Sequence, residues 1–253
     1  MQTPHGLALV CVPLEAVAAH FFTTRQWTLG SAASSDDPDG WEEVVTAIGV
    51  DRAQLARVHQ VHGADVHVGR AGSGQSVPGG SRRPDADIIV SDDPALALAI
   101  QTADCVPLLM ADPRSGAIAA AHVGWRGLAA AVPRVAVEAL HREFGSDPGD
   151  LIVAAGPSIS ASRYEVGLDV RERFAGGGFG DGDLARWFRR AERPDHWYFD
   201  GWQATRDELV AAGLRPHRLH AADMCTASWP DVFCSYRRDG SPAGRLAAVI
   251  RRR

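Results

Sequence analysis

The side chains best suited to chemistry in this sequence are a thiol, an acid and several imidazoles. Cys105 and Asp104 lie in TADCVPLLM, His122 in AIAAAHVGW, and His59, His62 and His67 crowd into RVHQVHGADVHVG. VPLLMAD, PRSG and AIAAAHVGW read as strand, tight turn and strand, which makes a β-hairpin. If Asp112 faces Ala117 across the turn, antiparallel pairing brings Cys105 almost opposite His122. Of the three neighbouring histidines His62 is the best placed, at the end of an alternating Val58, Gln60, His62 face, with Gly63 permitting a turn or bulge. One thiolate and two imidazoles form a zinc donor set, and three protein ligands leave a fourth position open for water or substrate. The competing reading is plain packing, because an unpaired cysteine behaves as a small buried hydrophobe. Residue types alone do not choose between the two, nor force the choice of histidine.

Anion-binding chemistry has two candidate locations. In VGWRGL a strand ends, Gly124 and Gly127 free the backbone, and Arg126 meets the start of a helix, where N–H groups and a guanidinium together attract anions; a solvent-facing arginine in a tight turn is the alternative. Arg237 and Arg238 in SYRRDGSPAGR form a second basic pair at an expected hairpin, with Arg245 across the turn. Such clusters are as often merely solvated.

The elements that must position these groups are those of a mixed α/β chain. Strand-like segments are GLALVCVPL, AHFFTT, ARVHQVHGADVHVG, ADIIVSD, LALAIQT, VPLLMAD, AIAAAHVGW, DLIVAAGPS, HRLHAADMC, VFCSYRR and RLAAVIRR. WEEVVTAIG, GLAAAVPRVAVEALHREFG, YEVGLDVRERFA and WQATRDELVAAG read as helices. Strands often follow one another directly, which favours mixed sheets over a doubly wound parallel one. Residues 69–86 and 175–183 are rich in glycine and polar residues and read as loops within one compact domain spanning 1–253. Pro133 falls early in the second helical segment, where it is tolerated only near a true helix start.

Composition narrows the function. The chain has 253 residues, 45% hydrophobic and 23% charged, with a net charge of -5, so it supplies no overall positive field for nucleic acid or an anionic membrane. No apolar run approaches the roughly 20 residues of a membrane span, and the first residues lack a signal-peptide pattern, so a cytoplasmic location is expected. Cys11, Cys105, Cys225 and Cys234 have no CxxC pairing, and reduced thiols are expected.

HQVHGADV, DADIIVSD, TADCVPLLMADP, AAHVGWRGL, GPSISASRYEVG, DMCT and SYRRDG followed by GR occur in the order seen in the YfiH-type laccase-domain family, purine nucleoside phosphorylases once labelled polyphenol oxidases. The resemblance covers roughly residues 55–253. It implies an α/β (α+β mixed) fold, a layered sandwich of two mixed β-sheets flanked by helices. It implies zinc on His62, Cys105 and His122, with Asp104 orienting groups beside the metal or handling a proton. Catalysis would then involve Cys105, His122, Asp104 and Arg126, and substrate contacts Arg25, Gln60, Arg126, Arg237 and Arg238. Tyr164 and Glu165 would hold the ribose or cap a helix. The implied reaction is phosphorolysis of adenosine, inosine and S-methyl-5'-thioadenosine, with adenosine deamination as a second activity. The implied partners are a purine nucleoside and phosphate, with the chain a monomer or weak homo-oligomer.

The sequence departs from that pattern at about residues 21–45. FFTTRQWTLGSAASSDDPDGWEEV is shorter than the family's segment and lacks its GGVS loop and SLNLG motif, although Arg25 remains, and Cys234 replaces a common aromatic. If the missing loops shape the nucleoside pocket, zinc would stay and the substrate would change or turnover be lost. Three other readings compete. A Cu2+-dependent polyphenol oxidase needs several histidines in HxH-type pairs, and the ten here are scattered. A hydrolase would use Cys105 as nucleophile and His122 as base. A zinc-stabilised binding protein would turn nothing over.

Overall fold

The computed structural model describes residues 1–3, 6–27, 29–31, 38–71 and 83–253. Residues 28 and 32–37 of the shortened N-terminal segment, and 72–82 of the expected loop at 69–86, lie outside the described residues. Strands β1 (Gln2–Thr3), β2 (Gly6–Leu9), β3 (Ala18–Thr23), β4 (Leu55–Ala56), β7 (Ala97–Thr102) and β15 (Leu246–Arg252) form one sheet, in the order β1-β2-β3-β15-β7-β4. A second comprises β5 (Val66–Gly69), β6 (Ile88–Ser91), β8 (Val106–Ala111), β9 (Ile118–Val123), β10 (Ile152–Ala155) and β14 (Leu219–Ala221), ordered β14-β10-β8-β9-β6-β5. Both are mixed: β4 runs parallel to β7, β5 to β6 and β10 to β14, and the other pairs are antiparallel. A small antiparallel sheet of β11 (Glu165–Gly167), β13 (His196–Phe199) and β12 (Phe188–Arg190) was not foreseen.

Alternation along the strands explains the layering. Leu98, Ile100, Ala248 and Ile250 of the first sheet meet Ile89, Leu109, Ile118, Ala120 and Ile152 of the second in a dry core. The alternate residues Ala97, Ala99, Ala247 and Val249 pack on Val44, Val45 and Ile48 of α2 (Pro38–Ile48). On the far side Ile88, Val90, Leu108, Met110, Ala119 and Ala121 are covered by α3 (Trp125–Ala129), α4 (Val132–Phe144), α5 (Leu168–Gly176), α6 (Asp181–Trp187) and α7 (Gly201–Ala211). The expected layered sandwich of two mixed sheets between helices is therefore the observed fold.

Local departures have identifiable causes. The second helical segment divides into α3 and α4 at Ala131, whose φ of 57° is left-handed, and Pro133 falls in the first turn of α4. The VPL end of the expected first strand lies instead in a short helix, α1 (Val12–Glu15), also started by a proline. YEVG is strand rather than helix, pairing with β13. VFCSYRR is not a strand, because Ser235 accepts the Arg238 N–H and caps α8 (Tyr236–Asp239). The expected loop at 175–183 narrows, since α5 reaches Gly176 and α6 starts at Asp181.

One group is misplaced energetically. Glu208 of α7 is 5% exposed, and among the described residues neither of its carboxyl oxygens has a hydrogen-bond partner. Burial pushes its pKa up to about 9, with only Arg134 pulling the other way. Between the unfolded value near 4.5 and about 9 the folded chain carries the extra proton, so this stability is present below pH 4.5 and lost as pH rises toward 9. Glu208→Gln should flatten the decline and stabilise the protein by roughly 3 kcal/mol at pH 8. Urea midpoints at pH 5 and pH 8 measure this; an unchanged difference between the two would refute the assignment.

Candidate metal centre

The hairpin β8–β9 closes on a turn held by Asp112, whose side chain accepts the Arg114 N–H and the Ser115 hydroxyl, while its own N–H donates to Ala117. The resulting register pairs Pro107 with His122. Cys105 lies two residues before Pro107, on the same face of the sheet as His122. His62 comes from the segment between β4 and β5. It is not the end of a strand face, as expected, but an exposed turn residue with φ of 59°. The ligand atoms of His62, Cys105 and His122 nevertheless lie within 4.8 Å of one another. Ligand atoms of a tetrahedral zinc ion are roughly 3.5 Å apart, so the donor set fits in chemistry and nearly in spacing.

Asp87, just ahead of β6, organises this convergence. Its Oδ1 lies 2.7 Å from His122 Nδ1, and its Oδ2 accepts the N–H groups of Val61 and Gly63 at 3.1 and 2.7 Å. The first contact turns the other imidazole nitrogen of His122 toward Cys105, and the second holds the turn that carries His62. Orientation of a metal-binding imidazole by a carboxylate is the usual supporting arrangement. The carboxylate is completely buried, which favours its protonation. The hydrogen bond and charge of His122 and the backbone donors outweigh that and lower its pKa.

Burial likewise opposes ionisation of Cys105, but the charge and hydrogen bond of His122, followed by His62, lower its pKa to about 6. The reciprocal pull of Cys105, with help from Asp87, raises His122 to about 9 against the cost of burial. At neutral pH the thiol is thus in the thiolate form that metals bind.

Gly124 completes the pocket. A Cβ there would stand 3.0 Å from Cys105 Sγ and 3.0 Å from His62 Nδ1. Gly124→Ala should therefore weaken metal retention about tenfold or more while β9 still folds. Competition with a chelator measures it; unchanged metal affinity would mean that the glycine is only a helix cap.

The remaining expected residues divide. Asp104 has a left-handed φ of 91°, and its carboxylate accepts from Thr226 Oγ1 and the Arg237 N–H, both at 2.6 Å. These bonds fix the turn that presents Cys105, so Asp104 positions the thiol, whereas the contact to His122 belongs to Asp87. Gln60 exchanges two hydrogen bonds with the Gln101 backbone, which occupies both ends of its amide. Arg25 donates to the Pro230 carbonyl. Arg238 is engaged by Asp239, the Thr226 carbonyl and the Phe233 carbonyl. Arg126 is exposed and lies 4.4 Å from the Trp125 ring, and among the described residues its guanidinium has neither a hydrogen bond nor an ion pair.

Tyr164 joins the site. Burial and then the charge of Cys105 raise its hydroxyl pKa, and the charges of Arg237 and Arg126 act in the other direction. Those four groups therefore share one neighbourhood, and the Arg237 guanidinium sits 4.9 Å from the Tyr164 ring. Of the unused histidines, His59 pairs with the exposed Asp85 and His67 lies on β5. Among the described residues no helix is long and apolar enough to cross a membrane.

Comparison with known proteins shows the family. The chain is 35% identical to a purine nucleoside phosphorylase of Deinococcus radiodurans, covering 98% of this chain and 94% of that one. It is 33% identical to the purine nucleoside phosphorylase YfiH of Escherichia coli, over 87% and 84% of the two chains. Among solved structures, YlmD of Geobacillus stearothermophilus matches with a TM-score of 0.86 at 26% identity, covering 100% of this chain and 98% of the other. The model of the family described as multi-copper polyphenol oxidoreductase laccase matches residues 33–253, and the chain belongs to that YfiH-type laccase-domain family.

Proposed function

We propose that this protein is a zinc-dependent purine nucleoside phosphorylase acting on adenosine, inosine and S-methyl-5'-thioadenosine, with adenosine deamination as a second activity. The observation that carries the reading is the convergence of Cys105, His122 and His62 under the control of buried Asp87, beside Arg126 and Arg237. The names of the relatives support the nucleoside and phosphate chemistry.

His62, Cys105 and His122 would hold the ion. Bound there, zinc would supply Lewis acidity and an activated water. In phosphorolysis the bond from the sugar carbon to the base nitrogen breaks, a bond from that carbon to a phosphate oxygen forms, and the base leaves with a proton. Arg126 and Arg237 offer the positive charge that concentrates phosphate and stabilises its developing contacts. Tyr164 stays a neutral phenol at physiological pH and so remains a hydrogen-bond donor to a substrate oxygen or base nitrogen. Asp104 keeps the thiolate in place through its bonds to Thr226 and Arg237.

The lowered pKa of Cys105 beside His122 also favours a second reading, a thiol hydrolase. The family's descriptive name favours a third, copper-dependent phenol oxidation. Incubating metal-quantified protein with each nucleoside, with and without phosphate, separates them. The proposal expects phosphate-dependent release of free base and protection of Cys105 from alkylation by stoichiometric zinc. Phenol oxidation that scales with copper loading, or ester hydrolysis abolished by alkylation, would replace it. Retained zinc without any turnover would leave a zinc-stabilised binding protein.

A further inference from the structure

Beyond Arg237 the surface opens into a cleft of about 270 Å³ lined by Ser162, Arg163, Glu165, Tyr198, Ala227, Arg237 and Arg238. That is slightly below the roughly 300–1,000 Å³ of pockets that take whole small ligands, a size for one part of a substrate. Its wall is continuous with the metal centre, because the Arg237 N–H bonds the Asp104 carboxylate one residue before Cys105, and the Arg237 guanidinium packs on Tyr164.

The charges in the cleft do not cancel. Arg238 is matched by Asp239 and immobilised by two carbonyls. Glu165 Oε1 has Arg193 at 3.5 Å, which offsets its charge. Arg237 donates from Nη1 to the Glu165 carbonyl, and among the described residues no carboxylate pairs with its guanidinium. Arg163 is exposed on the turn Ala161–Arg163, and among the described residues its guanidinium has neither a hydrogen bond nor an ion pair. Two uncompensated guanidiniums thus face a cleft of modest size, with the Ser162 hydroxyl beside them. Forked donors of this kind match a tetrahedral dianion better than any neutral ligand.

We propose that this cleft is the subsite for the phosphate co-substrate, with Arg163 and Arg237 as its clamp and Ser162 as a further donor. The assignment rests on the phosphorylase reading and adds Arg163, a residue outside the motifs that identify the metal centre. Glu165 is placed to accept from a hydroxyl of the sugar that acquires the phosphate, so the cleft would hold the sugar phosphate half of the products.

The test is titration of the zinc-loaded protein with inorganic phosphate by calorimetry, in parallel with the KM for phosphate at saturating inosine. Arg163→Ala should raise both the Kd and the KM for phosphate on the order of tenfold to a hundredfold, with zinc content and the KM for inosine little changed. Arg163→Lys should restore part of the loss, since it keeps the charge but not the fork. Phosphate affinity equal in wild type and Arg163→Ala would overturn the subsite. If no nucleoside is cleaved yet phosphate binding still depends on Arg163, the subsite stands and the reaction assignment fails. A parallel titration with adenosine 5'-monophosphate distinguishes an esterified phosphate. Its Arg163-dependent binding, without that of inorganic phosphate, would overturn the co-substrate assignment.

Discussion

Cys105→Ser is expected to leave a folded protein with little bound zinc and phosphorolysis reduced at least about a hundredfold. The sulfur would supply the one soft, anionic donor among the three candidate ligands, and its charge, with help from Asp87, holds the proton on His122. A serine hydroxyl at the same place stays protonated at neutral pH and offers a weak neutral oxygen. The fold itself should survive, because Cys105 is only partly buried and the β8–β9 register is set by the turn at Asp112 and by the apolar residues between. Cys11→Ser is the matching control: that residue is the N-cap of α1, and its loss should leave zinc and turnover as they were. The measurement is zinc per chain alongside initial rates. A Cys105→Ser protein with full zinc and full activity would remove the thiolate from the account.

Asp87→Ala is expected to have the broadest effect of any single change at the site. One completely buried side chain there satisfies the buried His122 and two partly buried backbone N–H groups. Removing one member of a buried charge pair costs on the order of 3–5 kcal/mol, because the remaining donors lose their partner without regaining solvent. Zinc affinity should fall as well, since His122 loses its fixed orientation and the turn bearing His62 loses its anchor. Asp87→Asn separates the two effects. The amide fills the same volume and keeps one acceptor, so most of the fold should be retained while zinc affinity drops about tenfold to a hundredfold. Thermal unfolding of the metal-free proteins reads the first effect and chelator competition the second. If Asp87→Asn binds zinc like the wild type, the carboxylate is a structural group only.

The reach of the sequence was set by how local each contact is. Cys105 and His122 were legible together because their hairpin is bridged by a turn: the observed register, Pro107 opposite His122, is the one that Asp112 facing Ala117 sets, and it leaves Cys105 a single diagonal step from His122 on the same face. His62 was less sharply defined than its role demands: it lies on a left-handed turn, and no periodicity marks such a position. Asp87 went unnoticed as the organiser although DADIIVSD was recognised as a motif. Its position opposite His122 follows only from the pairing of β6 with β9, strands about 30 residues apart in sequence whose pairing no short turn announces. Asp104 drew attention instead because it adjoins the cysteine, yet neighbouring strand or turn residues point in different directions.

The small sheet was illegible for another reason. Its strands have only three or four residues each, and YEVG runs directly into α5, so the helical pattern that follows hides the strand before it. That sheet supplies Glu165 and Tyr198 to the cleft beside the metal centre, and the part of the site most distant in sequence from TADC was therefore the part least visible. In VFCSYRR, a β-like composition concealed the serine cap that bends the chain into α8 and sets the Arg237 N–H against Asp104.

The central claim is that His62, Cys105 and His122 jointly retain a single divalent ion, and elemental mass spectrometry of protein purified without added metal or chelator tests it most directly. The account predicts close to one zinc per chain in the wild type, falling toward zero in Cys105→Ser. Protein that carries no zinc even after incubation with it, or that loads copper in a ratio well above one, would contradict the account.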